Sequence, residues 1–433
     1  MNLSKRKFLH GAGLAGALVA LSGCQRQEPE QAAVSNTNTR VATSTDPFAH
    51  LRSMVEGVEP ITVAERMARI EKAQQLMVEN GIDAMYLDAG TSMEYFTGVR
   101  WGQSERMLAV VIPADGDIKY VSPGFEEAKL RELITIGSDV RVWQEHESPY
   151  QRVAEILDDF GAATGTVAME ERVRFFLFDG IRKERPEASY VSADPITIPC
   201  RIQKSPDEIR LMQKAADITI ECYKASIPQL EVGMTPQDFI DISAQAMTRL
   251  GARGGRLWCS FAEATAFPHG SSEPQYLKEG DMVLMDGGCG VHGYRADISR
   301  TTVFGEPTAR QTEIWNLERE AQQAGFDAAQ LGMPQENIDI AARKVIIDAG
   351  FGPGYAVPGL PHRTGHGIGM DGHEWGNAVL GNKRPLDVGV CFSVEPMVAI
   401  YGEFGVRLED CAHITEDGPK WFSQPSEAID KPV

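Results

Sequence analysis

The apolar run Met282-Val283-Leu284-Met285 ends in Asp286, passes Gly287, Gly288, Gly290 and Gly293, and resumes as Tyr294-Arg295-Ala296-Asp297. An apolar run, a glycine cluster and a second extended segment predict a β-hairpin. A turn placed at Val291-His292 sets Asp286 directly opposite Asp297, since both are equally far from that centre. Opposed side chains in an antiparallel pair have Cβ atoms about 4.5–5.5 Å apart. Two carboxylates that close repel each other unless one is protonated or a cation bridges them. The pattern recurs downstream. Phe392-Ser393-Val394-Glu395 and Val406-Arg407-Leu408-Glu409 flank Tyr401-Gly402-Glu403-Phe404-Gly405, and a turn centred on Gly402 opposes Glu395 to Glu409. Four facing carboxylates within apolar strands are hard to explain as solvated surface, so the fold has to bring positive charge to them.

Histidines complete the set. His362-Arg363-Thr364-Gly365-His366-Gly367-Ile368-Gly369 is a glycine-rich segment whose backbone can approach a ligand closely, and His373-Glu374 follows. Two Asp, two Glu and one His offer mostly hard oxygen with one imidazole, which suits Mn²⁺ best and accepts Co²⁺, Zn²⁺ or Fe²⁺. Two such ions about 3.5–4 Å apart, bridged by carboxylates, can hold a hydroxide between them as nucleophile.

Asp286…Asp297, the Gly-His-Gly around His366, Ser-Val-Glu-Pro at Glu395 and Val-Arg-Leu-Glu-Asp at Glu409 resemble the metal motifs of the "pita-bread" metallopeptidases. The run from His362 to Glu374 is most similar to the prolidase/aminopeptidase P branch of that family. Arg201-x-x-Lys204-Ser-Pro-x-Glu208-Ile resembles the segment that opens the catalytic domain. The resemblance spans roughly residues 60 to 425. It implies that Asp286 holds one metal, that Asp297 and Glu409 bridge, and that His366 and Glu395 complete the second site. It further implies catalytic roles for Glu395, for His373 and for His269 within Phe267-Pro268-His269-Gly270. His362 and Arg407 match positions beside the substrate, where a cation can hold a peptide carboxylate. The implied reaction is hydrolysis of an Xaa-Pro bond, in dipeptides or at the N-terminus of short peptides, by a metal-bridging hydroxide. The implied assembly is a homodimer. Two departures concern the substrate pocket: Met397 follows Glu395-Pro396, and Trp375-Gly376-Asn377 follows His373-Glu374.

The rest of the chain frames this site. Helix and strand signals alternate from Pro60 to about Ala193, beginning with a helix over 63–80 stopped by Asn80-Gly81 and strands over 84–87, 108–112 and 118–121. A boundary near Pro195–Pro199 precedes a helix from Pro206 to about Ile227, and Thr235-Pro236 starts another. Helical structure is expected from about Arg310 to Gly350. The expected fold is α/β (α+β), with a creatinase-like N-terminal domain over 56–198 and a pita-bread catalytic domain over 199–433. Ahead of both, Lys5, Arg6 and Lys7, an apolar run from Gly11 to Leu21 and Leu21-Ser22-Gly23-Cys24 read as a signal peptide over 1–24. Its end resembles a bacterial lipobox, which implies lipidation at Cys24. The apolar-poor segment 25–55 reads as a flexible tether. The expected location is therefore the bacterial cell envelope, on the periplasmic side of a membrane and held by a lipid anchor alone.

A net charge of −19 argues against nucleic acid as a partner. Beyond Cys24, six cysteines spread from Cys200 to Cys411 without a Cys-x-x-Cys pair read mainly as buried thiols. Two rival readings stay open at this stage: an amidohydrolase acting on a non-peptide C–N bond, and a non-catalytic peptide-binding lipoprotein. The full ligand set, with His269 and His373 beside it, weighs against both.

Overall fold

The structure is a computed structural model that describes residues 46–252 and 254–433. The expected signal peptide with Cys24, and most of the expected tether, lie outside these residues. Among the described residues no helix is long and apolar enough to cross a membrane.

The N-terminal domain is built on six strands: β1 (Ala84–Asp88), β2 (Ala109–Pro113), β3 (Lys119–Pro123), β4 (Asp139–Trp143), β5 (Thr166–Met169) and β6 (Ser189–Ser192). They lie in the order β4-β3-β2-β1-β5-β6. β1, β2 and β3 are antiparallel neighbours, while β4, β5 and β6 join in parallel. Parallel joins need crossover helices, and these pack on the faces. Helix Val63–Glu79 begins at Thr62, whose side chain accepts from Glu65 N, and ends at Asn80.

The catalytic half opens with two capped helices. Ser205 and Glu208 form a capping box on Pro206–Ser226, and Thr235 and Asp238 form one on Pro236–Arg249. Each box satisfies N–H groups that a helix start leaves without partners. Then come β7 (Arg256–Phe261), β8 (Met282–Gly288), β9 (Gly290–Val291), β10 (Tyr294–Arg295) and β11 (Ile298–Val303), with β8 between β7 and β11. Helices Ala309–Ala328 and Glu336–Asp348 follow. The remaining strands are β12 (Gly365–Gly367), β13 (Glu374–Ala378), β14 (Cys391–Val394), β15 (Met397–Ile400), β16 (Phe404–Arg407), β17 (Asp410–Thr415) and β18 (Gly418–Trp421). Five of them form the sheet β13-β12-β14-β17-β18, and β15 pairs with β16.

The largest core cluster runs across both halves, taking in Met77, Phe96, Leu211, Tyr223, Phe261 and Ile368. A buried polar link accompanies it: Arg69 donates to Tyr294 Oη, and Tyr294 Oη donates to Glu208 Oε1 at 2.8 Å. All six cysteines of the described residues are buried and unpaired, and burial raises their thiol pKa values.

The expected boundary near Pro195–Pro199 falls on a helix, Asp194–Arg201, with Pro195 in its first turn, where no N–H partner is lost. The helical stretch expected after Arg310 is made of two helices. Pro334 precedes the second, and Gln335 N and Glu336 N donate outward to Arg384 O and Asn382 O instead of continuing the first. One local expectation differs from the structure: the register of the first carboxylate hairpin, which shapes the site.

Candidate metal centre and active site

In that hairpin Asp286 pairs with Ser299 and Gly287 with Ile298, while Val291 pairs with Tyr294. The turn is therefore His292-Gly293, not Val291-His292. Both turn residues have positive φ, 46° and 93°, as the tight hairpin turn matching strand twist requires. A β-branched valine resists that conformation and a glycine does not. Moving the centre by one residue moves every partner by two, so Asp297 keeps the expected face and becomes a diagonal neighbour of Asp286. Ser299 takes the directly opposed position. The second hairpin keeps its expected centre: Met397 pairs with Arg407 and Val394 with Asp410. Glu395 and Glu409 lie between those pairs, outside the strands. The Glu409 backbone instead bridges to Ser299, with N–H···O distances of 3.1 and 3.2 Å, and so ties the two hairpins together.

The carboxylates converge. Asp286, Asp297 and Glu409 place one oxygen each within 4.8 Å of one another, and a ring nitrogen of His366 lies equally close to one oxygen each of Glu395 and Glu409. Glu409 belongs to both groups. Ser299 Oγ lies 2.9 Å from Asp286 Oδ1 and 2.8 Å from Glu409 Oε2, and its single hydrogen serves one of them at a time. His366 Nδ1 lies 3.0 Å from its neighbour's carbonyl at Gly367, which can only accept. Nε2 is thereby directed toward Glu395 Oε1 at 3.2 Å and Glu409 Oε1 at 3.6 Å.

The electrostatics mark the cluster as short of positive charge. Burial, then Glu409 and Asp286, raise Asp297 well above the carboxylate range. Burial and Glu409 push Glu395 to about 8. Burial lowers the pKa of His366, but Glu409 and Glu395 outweigh it and bring the group to about 9. Glu409 Oε1 is buried with no hydrogen-bond donor. A carboxylate oxygen left without a donor in such a place is costly unless a cation meets it. The donor set of four carboxylates and one imidazole, with one shared glutamate, therefore fits a pair of divalent cations.

Arg407 supplies a fixed positive charge beside the cluster. It is buried and bonded to Asp286 Oδ2 at 2.7 Å, Ser299 Oγ at 3.1 Å and the Pro268 carbonyl at 2.8 Å. The expected cation for a substrate carboxylate is thus engaged with a metal-site carboxylate and the loop before His269. Asp410, three residues on, pairs with Arg300 and not with Arg407.

A cavity of about 360 Å³ opens beside the cluster, lined by Pro268, His269, His362, Arg363, His373, Glu395 and Arg407. The three histidines expected at the site thus share one cavity with Glu395. His373 stacks on His366 with ring centroids 3.9 Å apart. Burial, His366 and Arg363 lower its pKa to about 4. His362 donates Nδ1–H to the Arg363 carbonyl at 2.7 Å, and its buried Nε2 has no partner. Ser299 and Arg363 were not singled out in the sequence. Correct turn chemistry would have found Ser299, whereas Arg363 carries no local signal. His292 is exposed and bonds the Val58 carbonyl, away from the chemistry.

The glycines of β12 let neighbouring backbone pack closely against that strand. A Cβ on Gly365 would lie 2.0 Å from the Ser393 carbonyl oxygen, and one on Gly367 2.0 Å from that of Trp375.

Comparison with known proteins agrees with this geometry. Residues 210–416 match metallopeptidase family M24, and residues 69–203 match the creatinase/prolidase N-terminal domain. An Xaa-Pro dipeptidase of Lactobacillus helveticus is 32% identical over 364 residues, 82% of this chain and 96% of the relative. The crystal structure of dipeptidase PepE from Mycobacterium ulcerans superposes with a TM-score of 0.78 at 27% identity, covering 86% of this chain and 99% of that one. A recombinant prolidase from Thermococcus sibiricus gives 0.77 at 26% identity, over 83% and 97%.

Proposed function

This chain belongs to metallopeptidase family M24, in its prolidase and aminopeptidase P branch, and from that premise we propose that it hydrolyses Xaa-Pro bonds in dipeptides or at the N-terminus of short peptides. The observation that carries the reading is the convergence of five candidate metal-ligand groups beside a cavity that Glu395 lines together with His269, His362 and His373. Asp286, Asp297, His366, Glu395 and Glu409 would hold two divalent ions, Mn²⁺ by the hardness of the donors. Bound metal supplies Lewis acidity toward the scissile carbonyl and makes water a nucleophile near neutral pH.

The chain's own groups do the rest. Glu395 faces the cavity and can take a proton from the attacking water and return it to the departing nitrogen. His373 has Nδ1 occupied by the Arg363 guanidinium, which can only donate, so its remaining hydrogen sits on Nε2. That N–H and His269 are placed to stabilise negative charge developing on the carbonyl oxygen. Arg407 holds Asp286 and the Pro268 carbonyl, and so orients a metal-ligand group and the loop leading to His269. In the same reading the leader directs the chain to the bacterial cell envelope as a lipoprotein anchored at Cys24, and the enzyme works as a homodimer.

The test is turnover by Mn²⁺-loaded protein from Gln25 onward on Xaa-Pro dipeptides and Xaa-Pro tripeptides, with Asp297→Ala as control. Turnover that disappears in the variant supports the reading. Metal-loaded protein inert on both substrate sets refutes it.

A further inference from the structure

Helix Ala309–Ala328 turns a polar edge toward the arms that carry Glu395 and Glu409. Glu318 and Gln322 lie one turn apart on its inner face, and neither meets solvent. Glu318 Oε1 accepts from the backbone N–H of Leu408, the residue before Glu409, at 3.5 Å. The side-chain nitrogen of Gln322 donates to Asp410 Oδ2, just after Glu409, at 3.1 Å. It also donates to the carbonyl of Val394, just before Glu395, at 3.4 Å. The two side chains thus hold both neighbours of Glu409 and one neighbour of Glu395.

One atom on each is left over. Glu318 Oε2 and Gln322 Oε1 are buried with no hydrogen-bond partner. Turning the Gln322 amide over does not help, because the Val394 carbonyl can only accept and Asp410 is ionised against Arg300. Among the described residues no cation pairs with Glu318. Arg407, which favours its anion, is bonded to Asp286, Ser299 and the Pro268 carbonyl. Burial outweighs the Leu408 N–H and Arg407, and raises the Glu318 carboxyl well above the usual carboxylate range. An ionised Glu318 would leave two buried acceptors without a donor, a cost that a single proton removes. On Oε2 that proton can be donated to Gln322 Oε1, since side chains four residues apart on a helix are neighbours.

We propose that Glu318 is a positioning residue for the metal-ligand cluster and acts as a neutral acid, donating its O–H to Gln322 so that one buried proton joins the helix to the arms bearing Glu395 and Glu409. The proposal rests on the metal-site reading above and is independent of which bond the enzyme cleaves.

Infrared difference spectra and Mn²⁺ titrations test it on protein from Gln25 onward, as wild type, Glu318→Gln and Glu318→Leu. The spectrum of Mn²⁺-loaded wild type minus Glu318→Gln near neutral pH is expected to show the C=O stretch of an un-ionised carboxylic acid. Glu318→Gln keeps an N–H donor for Gln322 and a C=O for Leu408, so its Mn²⁺ affinity should stay within about twofold of wild type. Glu318→Leu loses both and should bind Mn²⁺ about 10–100-fold more weakly. A carboxylate signal in place of the acid overturns the proposal. So does Glu318→Gln weakening Mn²⁺ binding as much as Glu318→Leu, unchanged affinity in Glu318→Leu, or no Mn²⁺ binding by wild type. Should Glu318→Leu not fold, the infrared band and the Glu318→Gln affinity decide alone. The expected pattern in protein inert on every Xaa-Pro peptide upholds Glu318 and refutes the hydrolysis.

Discussion

Arg300 and Asp410 form an ion pair of 2.8 Å in which neither side chain meets solvent. Asp410 also accepts from Gln322 and Ser423, and Arg300 donates to the carbonyl of Glu409. The pair thus clamps β11 to β17 one residue from Glu409, the carboxylate common to both clusters. Removing one partner leaves the other charged and buried, which costs about 3–5 kcal/mol, whereas removing both costs less. Arg300→Met is therefore expected to lower the urea midpoint clearly, and addition of Asp410→Leu to restore part of the loss.

Glu374 controls acid stability at the domain junction. Burial raises its carboxyl pKa, but Lys204 and Arg201 outweigh that and hold it at about 2. A folded pKa below the unfolded value gives stability that is complete above about pH 4.5 and lost as pH falls toward 2. The shift corresponds to on the order of 3 kcal/mol. Glu374→Gln should lower Tm at pH 7 and flatten its fall between pH 5 and pH 2, read by circular dichroism.

Four carboxylates converging beside Arg407 and His366 form a site that cations should stabilise in the folded state alone. A ligand at a hundred times its Kd adds about 2.7 kcal/mol. Mn²⁺ is expected to raise Tm by several degrees and chelation to reverse the gain. Asp297→Ala should abolish the response, and a variant that still gains the full shift would remove Asp297 from the metal site.

Gly367→Ala tests the packing of β12. Its Cβ would have to displace the Trp375 carbonyl from 2.0 Å, and backbone cannot yield as a flexible side chain can. The expected result is a loss of several kcal/mol in stability with weakened Mn²⁺ binding. Soluble protein with unchanged Tm and Mn²⁺ affinity would contradict it.

The carboxylates that converge were conspicuous in the sequence because they end or interrupt apolar runs, where a charge needs a reason. The Gly402 hairpin centre was readable too, since the glycine is placed symmetrically between the two apolar runs. The first hairpin misled because several glycines leave its turn open, and only the left-handed conformation of His292-Gly293 selects among them. Its consequence was small, because a two-residue shift preserves the face. Arginine partners were not readable at all. Arg407 meets Asp286 and the Pro268 carbonyl across long stretches of sequence. The helix Asp194–Arg201 was not legible either, because Pro199 in its interior costs a hydrogen bond and weakens the local helix signal.

The joined hairpins also say where this chain can change length. Substitution within β8, β11, β14 or β17 alters one contact, but inserting or deleting one residue between a ligand and its turn sends that ligand to the opposite face. Because Ser299 and Glu409 pair across the two hairpins, such a change in one arm disturbs the ligands of the other. Natural insertions and deletions in relatives of this chain should therefore gather outside these four arms. A tag or label that must leave the metal site intact belongs there as well.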